Sequence, residues 1–490
     1  MNEIVIPKQI TNWINGEQRS AQSAEWLPKF SPATGEEIYQ LARSAAEDID
    51  TAVNVAMKAQ PAWADTPAVQ RGLVLHEIVK GLQNHREEMA QVVAKETGKA
   101  LKEAAGETEG AIQQGLFMAG EGQRLYGRTT TSGVANKYAM TVRQPLGVAG
   151  LIIAANTPIA NVAWKVFPAL ICGNAVVLKA AEDTPATAWL FAAIAREAGL
   201  PDGVLNVVQG SGLEAGAPLV EHKAVDVVSF TGSTRVGREI AAKVGHRLGR
   251  VSLELVGKNP LVVCDDADLE NAARWVCLSA FSNAGQRCAA GSRIIIFDAV
   301  YDKFRDMLVE HAAALKVGPG DEHDLGPVIN ERQINCMLAA IDEAKSKDAR
   351  VLIGGERLTG DDYHGGYYMA PTLVEAVAPD DAMSTTELFG PIASLYRVKD
   401  FSEALDLANL SPYGLTACIH TRDFNRAMEF SYRVQAGATV VNAGTYGSEP
   451  HMPFGGFKQS GNGTREPGTE ALDVYSELKD IYLIVDPARV

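Results

Sequence analysis

The feature that most constrains this chain is an alternation of strand and helix signals between Tyr138 and Leu255. Short apolar segments read as buried strands at Val148–Ala154, Ala175–Leu178, Val204–Val208, Val225–Phe230 and Val251–Leu255. Helix-spaced segments fall between them at Asn161–Ile171, Pro185–Ala198, Gly212–Glu221 and Arg235–Val244. Buried strands separated by helices are the signature of a parallel sheet covered by helices. Ligands of such sheets sit at the carboxyl ends of the strands, so residues just after each strand are the first candidates for function.

The flanking regions read differently. Residues 1–45 carry short extended segments and turns, among them the hairpin signal Asn15-Gly16 and the turn from Ser31 to Glu36. Apolar residues then recur at three- and four-residue spacing through Asp48–Gln60, Val69–Lys95 and Leu101–Leu125, which predicts packing helices. Beyond Lys258-Asn259-Pro260 a second α/β unit follows: strand Leu261–Val263, helix Leu269–Phe281, strand Arg293–Phe297 and helix Val300–Ala314. Residues 443–468 form a long glycine-rich loop, a kind that compact enzymes usually keep for function. The closing segment Val474–Val485 alternates like a strand and needs a partner, for which a sister subunit is one source; a homodimer or homotetramer is expected.

Composition narrows the functional classes. At 490 residues and 46% hydrophobic, the chain is globular and long enough for about two to four domains. Its net charge of −15 argues against nucleic acid or an anionic membrane surface as main partner. The cysteines, at 172, 264, 277, 288, 336 and 418, have no paired spacing, so neither a disulfide framework nor a zinc site is expected. No apolar run approaches the ~20 residues of a membrane span. The start, Met1-Asn2-Glu3-Ile4-Val5-Ile6-Pro7, lacks a signal-peptide pattern. A reducing, cytoplasmic setting is the expectation.

Chemistry-bearing residues collect where the strands end. In Phe230-Thr231-Gly232-Ser233-Thr234 an apolar strand runs into a Gly-Ser turn and then a helix. Such a turn offers N–H groups to a phosphate, or simply caps the helix. Lys179 and Glu182 follow the strand Ala175–Leu178; they suit the hydroxyls of a ribose, or face solvent as a surface pair. Asn156, just past Ile152-Ile153-Ala154-Ala155, either donates its amide to an oxyanion or holds a turn. Glu254 interrupts the apolar strand Val251–Leu255. A carboxylate there is either structurally bonded or held at a raised pKa, as suits a general base. Cys288 lies in the Gly- and Ala-rich stretch Asn283–Arg293, whose small residues let a backbone approach a reacting carbon. A catalytic thiol must be reachable, must ionise and needs donors for its oxyanion; the alternative is a buried cysteine acting as a small hydrophobe.

Taken in order, these segments resemble the aldehyde dehydrogenase superfamily from Asn15-Gly16 to about Lys479. The carriers are Phe230-Thr231-Gly232-Ser233-Thr234, Leu253-Glu254-Leu255 with Gly257-Lys258, Gly285-Gln286-Arg287-Cys288, Glu387-Leu388-Phe389-Gly390-Pro391 and Pro453-Phe454-Gly455-Gly456. The resemblance implies an α/β fold: a Rossmann-like parallel-sheet cofactor domain (1–126 and 146–257), a second α/β catalytic domain (258–449) and a small β oligomerisation arm (127–145 and 470–490). It implies a non-acylating enzyme that oxidises an aldehyde to a carboxylic acid with NAD. Cys288 is then the nucleophile, and the Asn156 amide and the Cys288 N–H hold the thiohemiacetal oxyanion. Glu254 activates the water that hydrolyses the thioester. Lys179 and Glu182 are implied to hold the adenosine ribose, and Thr231, Gly232 and Ser233 the pyrophosphate. Glu387 is implied to hold the nicotinamide ribose, with Phe389 packed near the nicotinamide. Lys165 and Glu466 match a pair implied in relaying protons from the general base. Glu182 would repel a 2′-phosphate, which favours NAD over NADP.

The chain departs from that pattern in places. Ala155 and Thr157 flank Asn156 where aromatic rings are usual, which suggests a roomier or wetter pocket. Val256 stands in place of a glycine, and Ala180 in place of a proline. Arg287, directly before the nucleophile, resembles members that act on anion-bearing aldehydes. A guanidinium can clamp a carboxylate in two bonds and would help keep the thiolate ionised; the alternative is a structural arginine turned away. Tyr446 and His451, in the glycine-rich loop, either line the pocket or sit on the surface. The expected substrate is an aldehyde, and an anionic semialdehyde is the specific reading. The alternatives are a neutral aliphatic or aromatic aldehyde, a coenzyme A-dependent acylating enzyme, which commonly lacks the glutamate at 254, or a non-catalytic relative.

Overall fold

The structure, a computed structural model, describes residues 4–363 and 365–489. Met1–Glu3, part of the start read above for a signal pattern, lie outside the described residues, as does the last residue of the expected arm. The predicted alternation folds as a seven-stranded sheet ordered Arg250–Glu254, Val227–Thr231, Val148–Ile152, Ala175–Lys179, Leu205–Val208, Asn12–Ile14 and Glu17–Arg19. The strands from Arg250–Glu254 to Leu205–Val208 all run parallel. The Asn12–Ile14 and Glu17–Arg19 hairpin adds to the edge antiparallel. Its turn is Asn15 at φ 58° and Gly16 at φ 71°, the two left-handed residues that a tight hairpin requires.

Successive residues of each strand pack into different cores, as a period of two dictates. Ala149 and Leu151 join one core with the helices Pro158–Ile171 and Pro185–Glu197. Val148 and Ile152 join the other with Ala46–Asp65 and Thr234–His246. The segment Val69–Lys95, read as one helix, is two: Ala68–Asn84 and Arg86–Thr97. Apolar spacing continues across the break, but His85 leaves helical geometry at φ −102°, ψ 20°, and its Nδ1 pairs with Glu88 Oε2 at 2.8 Å.

A second seven-stranded sheet follows, ordered Arg350–Ile353, Thr372–Glu375, Ile392–Val398, Gly291–Phe297, Asn259–Val263, Thr416–His420 and Ala438–Val441. It is parallel apart from its first strand. The chain end corrects one expectation. Val474–Val485 is a short helix, Ala471–Tyr475, and then the strand Ser476–Ile484. That strand finds its partner within its own chain, pairing antiparallel with Lys137–Pro145 along its whole length. With Thr129–Thr130 the two form a three-stranded arm on which Leu478, Tyr482, Leu483 and Ile484 are exposed.

Between the helix Leu269–Phe281 and the strand Gly291–Phe297 the chain makes the sharp loop that presents Cys288. Asn283, Ala284 and Gly285 are left-handed in succession, at φ 53°, 52° and 66°. A Cβ on Gly285 would come within 2.1 Å of the Gly390 carbonyl oxygen, so only glycine fits there. Gly285→Ala is expected to destabilise the fold by roughly 2–3 kcal/mol, read as a lowered urea midpoint. An unchanged midpoint would mean that this loop does not need the glycine.

Candidate active site

A cavity of about 1440 Å³ opens where the strands of the first sheet end. Thr231 and Glu254, register partners, are the last residues of their strands, and Asn156 follows the strand Val148–Ile152. The cavity wall carries Thr231, Gly232 and Ser233, then Glu254, Glu387 and Phe389, then Cys288, Asn156 and Arg287. Residues scattered over nearly half the chain thus meet in one cleft. Lys165 and Glu466 are buried. Lys179 ends the strand next to Val148–Ile152 and, like Glu182, is not among the residues that line this cavity.

Cys288 is half-buried. Burial, and then the carboxylates of Glu254 and Glu387, push its thiol far above the ordinary range. Arg287, next in the chain, makes side-chain contacts of its own. The guanidinium lies 3.6 Å from a Glu103 oxygen and 4.9 Å over the Tyr446 ring. A protonated thiol must lose its proton to a base as it attacks. The cysteine backbone is fixed by Asn259, whose Nδ2 donates to the carbonyls of Cys288 at 2.8 Å and Ala290 at 2.9 Å.

Asn156 is held from several sides. Its Nδ2 donates to the Gln286 carbonyl at 3.0 Å. An amide carries two N–H groups, so one remains for a ligand. Its backbone oxygen accepts from Lys99 Nζ at 2.7 Å. Lys99 in turn pairs with Glu107 at 2.7 Å. Glu107 accepts the N–H groups of Ile159 and Ala160 at the start of the helix Pro158–Ile171, where the helix dipole favours a carboxylate.

Glu254 is buried, and its Oε1 has no hydrogen-bond partner among the described residues. Burial raises its pKa well above the carboxylate range, and the Glu466 charge adds to this, while Lys165 and Arg465 oppose it. Lys165 Nζ and Glu466 Oε2 form a buried pair at 2.8 Å. Burial likewise lifts Glu387 to about 8, against the pull of the Gly257 N–H, which donates to its Oε1 at 3.0 Å, and of Lys258.

Toward the helix starts, Ser233 Oγ caps the helix Thr234–His246 by accepting the Val236 N–H. Lys179 Nζ pairs with Glu182 Oε2 at 2.8 Å. Burial pushes Glu182 up, but the Lys179 ammonium and its hydrogen bond outweigh burial and hold the carboxylate ionised. In the glycine-rich loop, Tyr446 lines the cavity, whereas His451 is largely exposed beside Glu449. Thr157, read as making the pocket roomier or wetter, accepts from Asn161 Nδ2 at 3.1 Å, so this wall is polar.

Several residues of the site escape a reading of the sequence. Asn161 and the ring pair Trp164 and Phe454, 5.4 Å between centroids, line the cavity. Trp164, directly before Lys165, sits in a helix apolar enough to pass for plain core. Ser229 and Ser252 bond to Glu466, and the signal for them was present: each stands two residues before a cleft residue of its own strand.

A sequence model of the aldehyde dehydrogenase family matches residues 18–481. The chain is 38% identical over 484 residues to an alpha-ketoglutaric semialdehyde dehydrogenase of Bacillus subtilis, covering 98% of this chain and 99% of that one. It is 39% identical over 473 residues to an alpha-ketoglutarate semialdehyde dehydrogenase of Haloferax volcanii, covering 96% and 98%. Among solved structures, a betaine aldehyde dehydrogenase of Staphylococcus aureus in complex with NAD+ superposes with a TM-score of 0.95 at 31% identity, over 98% of this chain and 95% of that one.

Proposed function

The chain belongs to the aldehyde dehydrogenase family, and from that premise we propose that it oxidises a carboxylate-bearing semialdehyde to the free acid, with NAD as oxidant. The observation that carries the substrate reading is Arg287. It lines the cavity directly beside Cys288, and the Tyr446 ring supports its guanidinium. The semialdehyde dehydrogenases named above support the same class. A planar guanidinium next to the nucleophile fixes a carboxylate at a set distance from the reacting carbon.

Residues of the cavity and of the neighbouring strand end suit NAD. The N–H groups at the start of the helix Thr234–His246 suit a pyrophosphate. Lys179 and Glu182 suit the adenosine ribose, where the ionised Glu182 disfavours a 2′-phosphate and so NADP. Glu387 suits the second ribose, and Phe389 faces the same cavity. When bound, NAD accepts a hydride from the substrate carbon. Cys288 gives its thiol proton to the Glu254 carboxylate, which passes it on, as its sulfur bonds the aldehyde carbon; the second Asn156 N–H and the Cys288 backbone N–H hold the oxyanion, and a thioester remains after hydride leaves. Glu254 takes a proton from the water that hydrolyses it. Lys165 and Glu466 relay that proton.

The division of labour follows the sheets. Residues 1–126 and 146–257 form the cofactor-binding part, 258–449 the catalytic part, and 127–145 with 470–490 the arm through which a homodimer or homotetramer assembles. Among the described residues no helix is long and apolar enough to cross a membrane; the proposed setting is cytoplasmic.

The test is NADH formation over matched aldehydes, carboxylated against neutral aliphatic and aromatic, with Arg287→Ala alongside. The carboxylated aldehyde is expected to lead. The variant should lose roughly 2 kcal/mol of kcat/KM for it, about 30-fold, and little for the others. Equal losses across all aldehydes would remove Arg287 as the clamp.

A further inference from the structure

Oxidation of an aldehyde by NAD+ and water yields a carboxylate, NADH and protons. Each turnover must therefore move protons out of a site whose base, Glu254, is buried. The strand register shows a way out. Ser229 pairs with Ser252, and Thr231 with Glu254, on adjacent parallel strands. A step of two residues returns a side chain to the same face, so Ser252 shares the face of Glu254, one step deeper.

Hydroxyls and charges connect along that face. Lys165 Nζ donates to Ser229 Oγ at 2.7 Å and to Glu466 Oε2 at 2.8 Å, and Ser229 Oγ donates to Glu466 Oε1 at 2.7 Å. Ser252 Oγ lies 3.3 Å from Glu466 Oε1 and 2.9 Å from Thr464 Oγ1. Thr464 Oγ1 donates to Asn462 Oδ1 at 2.8 Å. A hydroxyl donates and accepts at once, the property that a proton wire needs. Ser252 and Glu466 are buried, Thr464 is half-buried and Asn462 is exposed, so the chain of groups runs from the interior to water. The strand Arg250–Glu254 is the outer edge of its sheet. The loop from Ser460 covers it there, bonding Leu255 N through the Ser460 carbonyl at 3.0 Å and Leu253 N through Asn462 Oδ1 at 3.0 Å.

We propose that Ser252 and Thr464 form the exit by which protons collected at Glu254 and the Lys165–Glu466 pair reach solvent beside Asn462. This rests on the reading of Cys288 and Glu254 given above. In the hydrolytic step the water oxygen bonds the thioester carbon and the carbon–sulfur bond breaks. One water proton goes to the Glu254 carboxylate and passes to the pair; the other leaves the product carboxyl for the departing Cys288 sulfur and restores the thiol. The pair then protonates Ser252 as Ser252 gives its own proton to Thr464, which releases one to bulk water. Ser252 and Thr464 touch neither substrate nor cofactor and are positioning residues. The other charged or titratable groups facing the route are Arg465, whose Nη1 bonds the Thr464 carbonyl at 2.8 Å, and Tyr475, whose OH is 3.5 Å from Glu466 Oε1.

The test is stopped-flow mixing of the full-length enzyme with NAD and aldehyde in weak buffer, reading NADH absorbance and a pH-indicator dye together. In Thr464→Val and Ser252→Ala the first NADH turnover should keep its rate, while proton release accompanying hydrolysis slows about tenfold or more. Added imidazole should restore that release, and Thr464→Ser should behave as the parent. Thr464 stands in a half-exposed loop, so Thr464→Val carries the test even where Ser252→Ala disturbs the sheet. Proton release at the parent rate in both variants would overturn the route, as would slowed release that imidazole leaves unchanged. Cys288→Ser, run alongside, separates the two claims: NADH and protons formed at the parent rate by that variant would overturn the thioester reading itself.

Discussion

Cys288→Ser is expected to lose roughly 10³-fold or more of steady-state NADH formation while keeping its fold. A hydroxyl has nearly the shape of the thiol but far less nucleophilic character at neutral pH. The loop that presents residue 288 is pinned by contacts that do not involve Sγ. Asn259 bonds the carbonyls of Cys288 and Ala290, and a Cβ on Gly257 would stand 2.3 Å from the Cys288 carbonyl oxygen, which shows how closely that backbone is packed. The loss should therefore appear in kcat with an unchanged thermal midpoint and unchanged NAD binding. A variant that keeps a tenth or more of parental activity would remove Cys288 from the chemistry.

The second large effect belongs to Glu254. Glu254→Gln keeps the size and removes the base, and steady-state turnover should fall about 10²- to 10⁴-fold. The first turnover should survive in amplitude: about one NADH per active site forms, and the reaction then stalls at the thioester. Adding hydroxylamine, a stronger nucleophile than water, should restart it. The sign of the pH dependence follows from burial. The carboxyl serves as base only when ionised, and burial with the nearby Glu466 charge holds it well above its ordinary range. Turnover of the parent should rise with pH through that raised range, and the Gln variant should lose the rise. Steady-state turnover in Glu254→Gln equal to the parent's would assign activation of the water to another group.

These two residues were also the most legible in the sequence, for physical reasons. Glu254 interrupts an apolar strand, where a carboxylate is costly unless it is used or bonded, and it ends a parallel strand, where ligands bind. Cys288 sits among small residues in a loop that needs left-handed geometry, and glycine announces such loops. The first parallel sheet was legible because strands buried on both faces have little polar alternation; of the second, only the strands Asn259–Val263 and Gly291–Phe297 were read. Interactions between distant segments were not. Asn156 owes its placement to Lys99 and Glu107, some fifty residues upstream, and neither stands out in an amphipathic helical region. The break at His85 was hidden because apolar spacing continues across it. The partner of the strand Ser476–Ile484 lies more than 300 residues away, and no local pattern names it. Arg287 was found by its place in the chain, but its engagement with Glu103 and Tyr446 came only with the fold.

The most direct measurement of the central claim is mass spectrometry of Glu254→Gln quenched in acid after mixing with NAD and a carboxylated semialdehyde. Stoichiometric acyl mass on the peptide that contains Cys288, removed by hydroxylamine and absent from a Cys288→Ser, Glu254→Gln double variant, is the result this account predicts. One NADH per site with no acyl group on Cys288, or an acyl group on another residue, would contradict it.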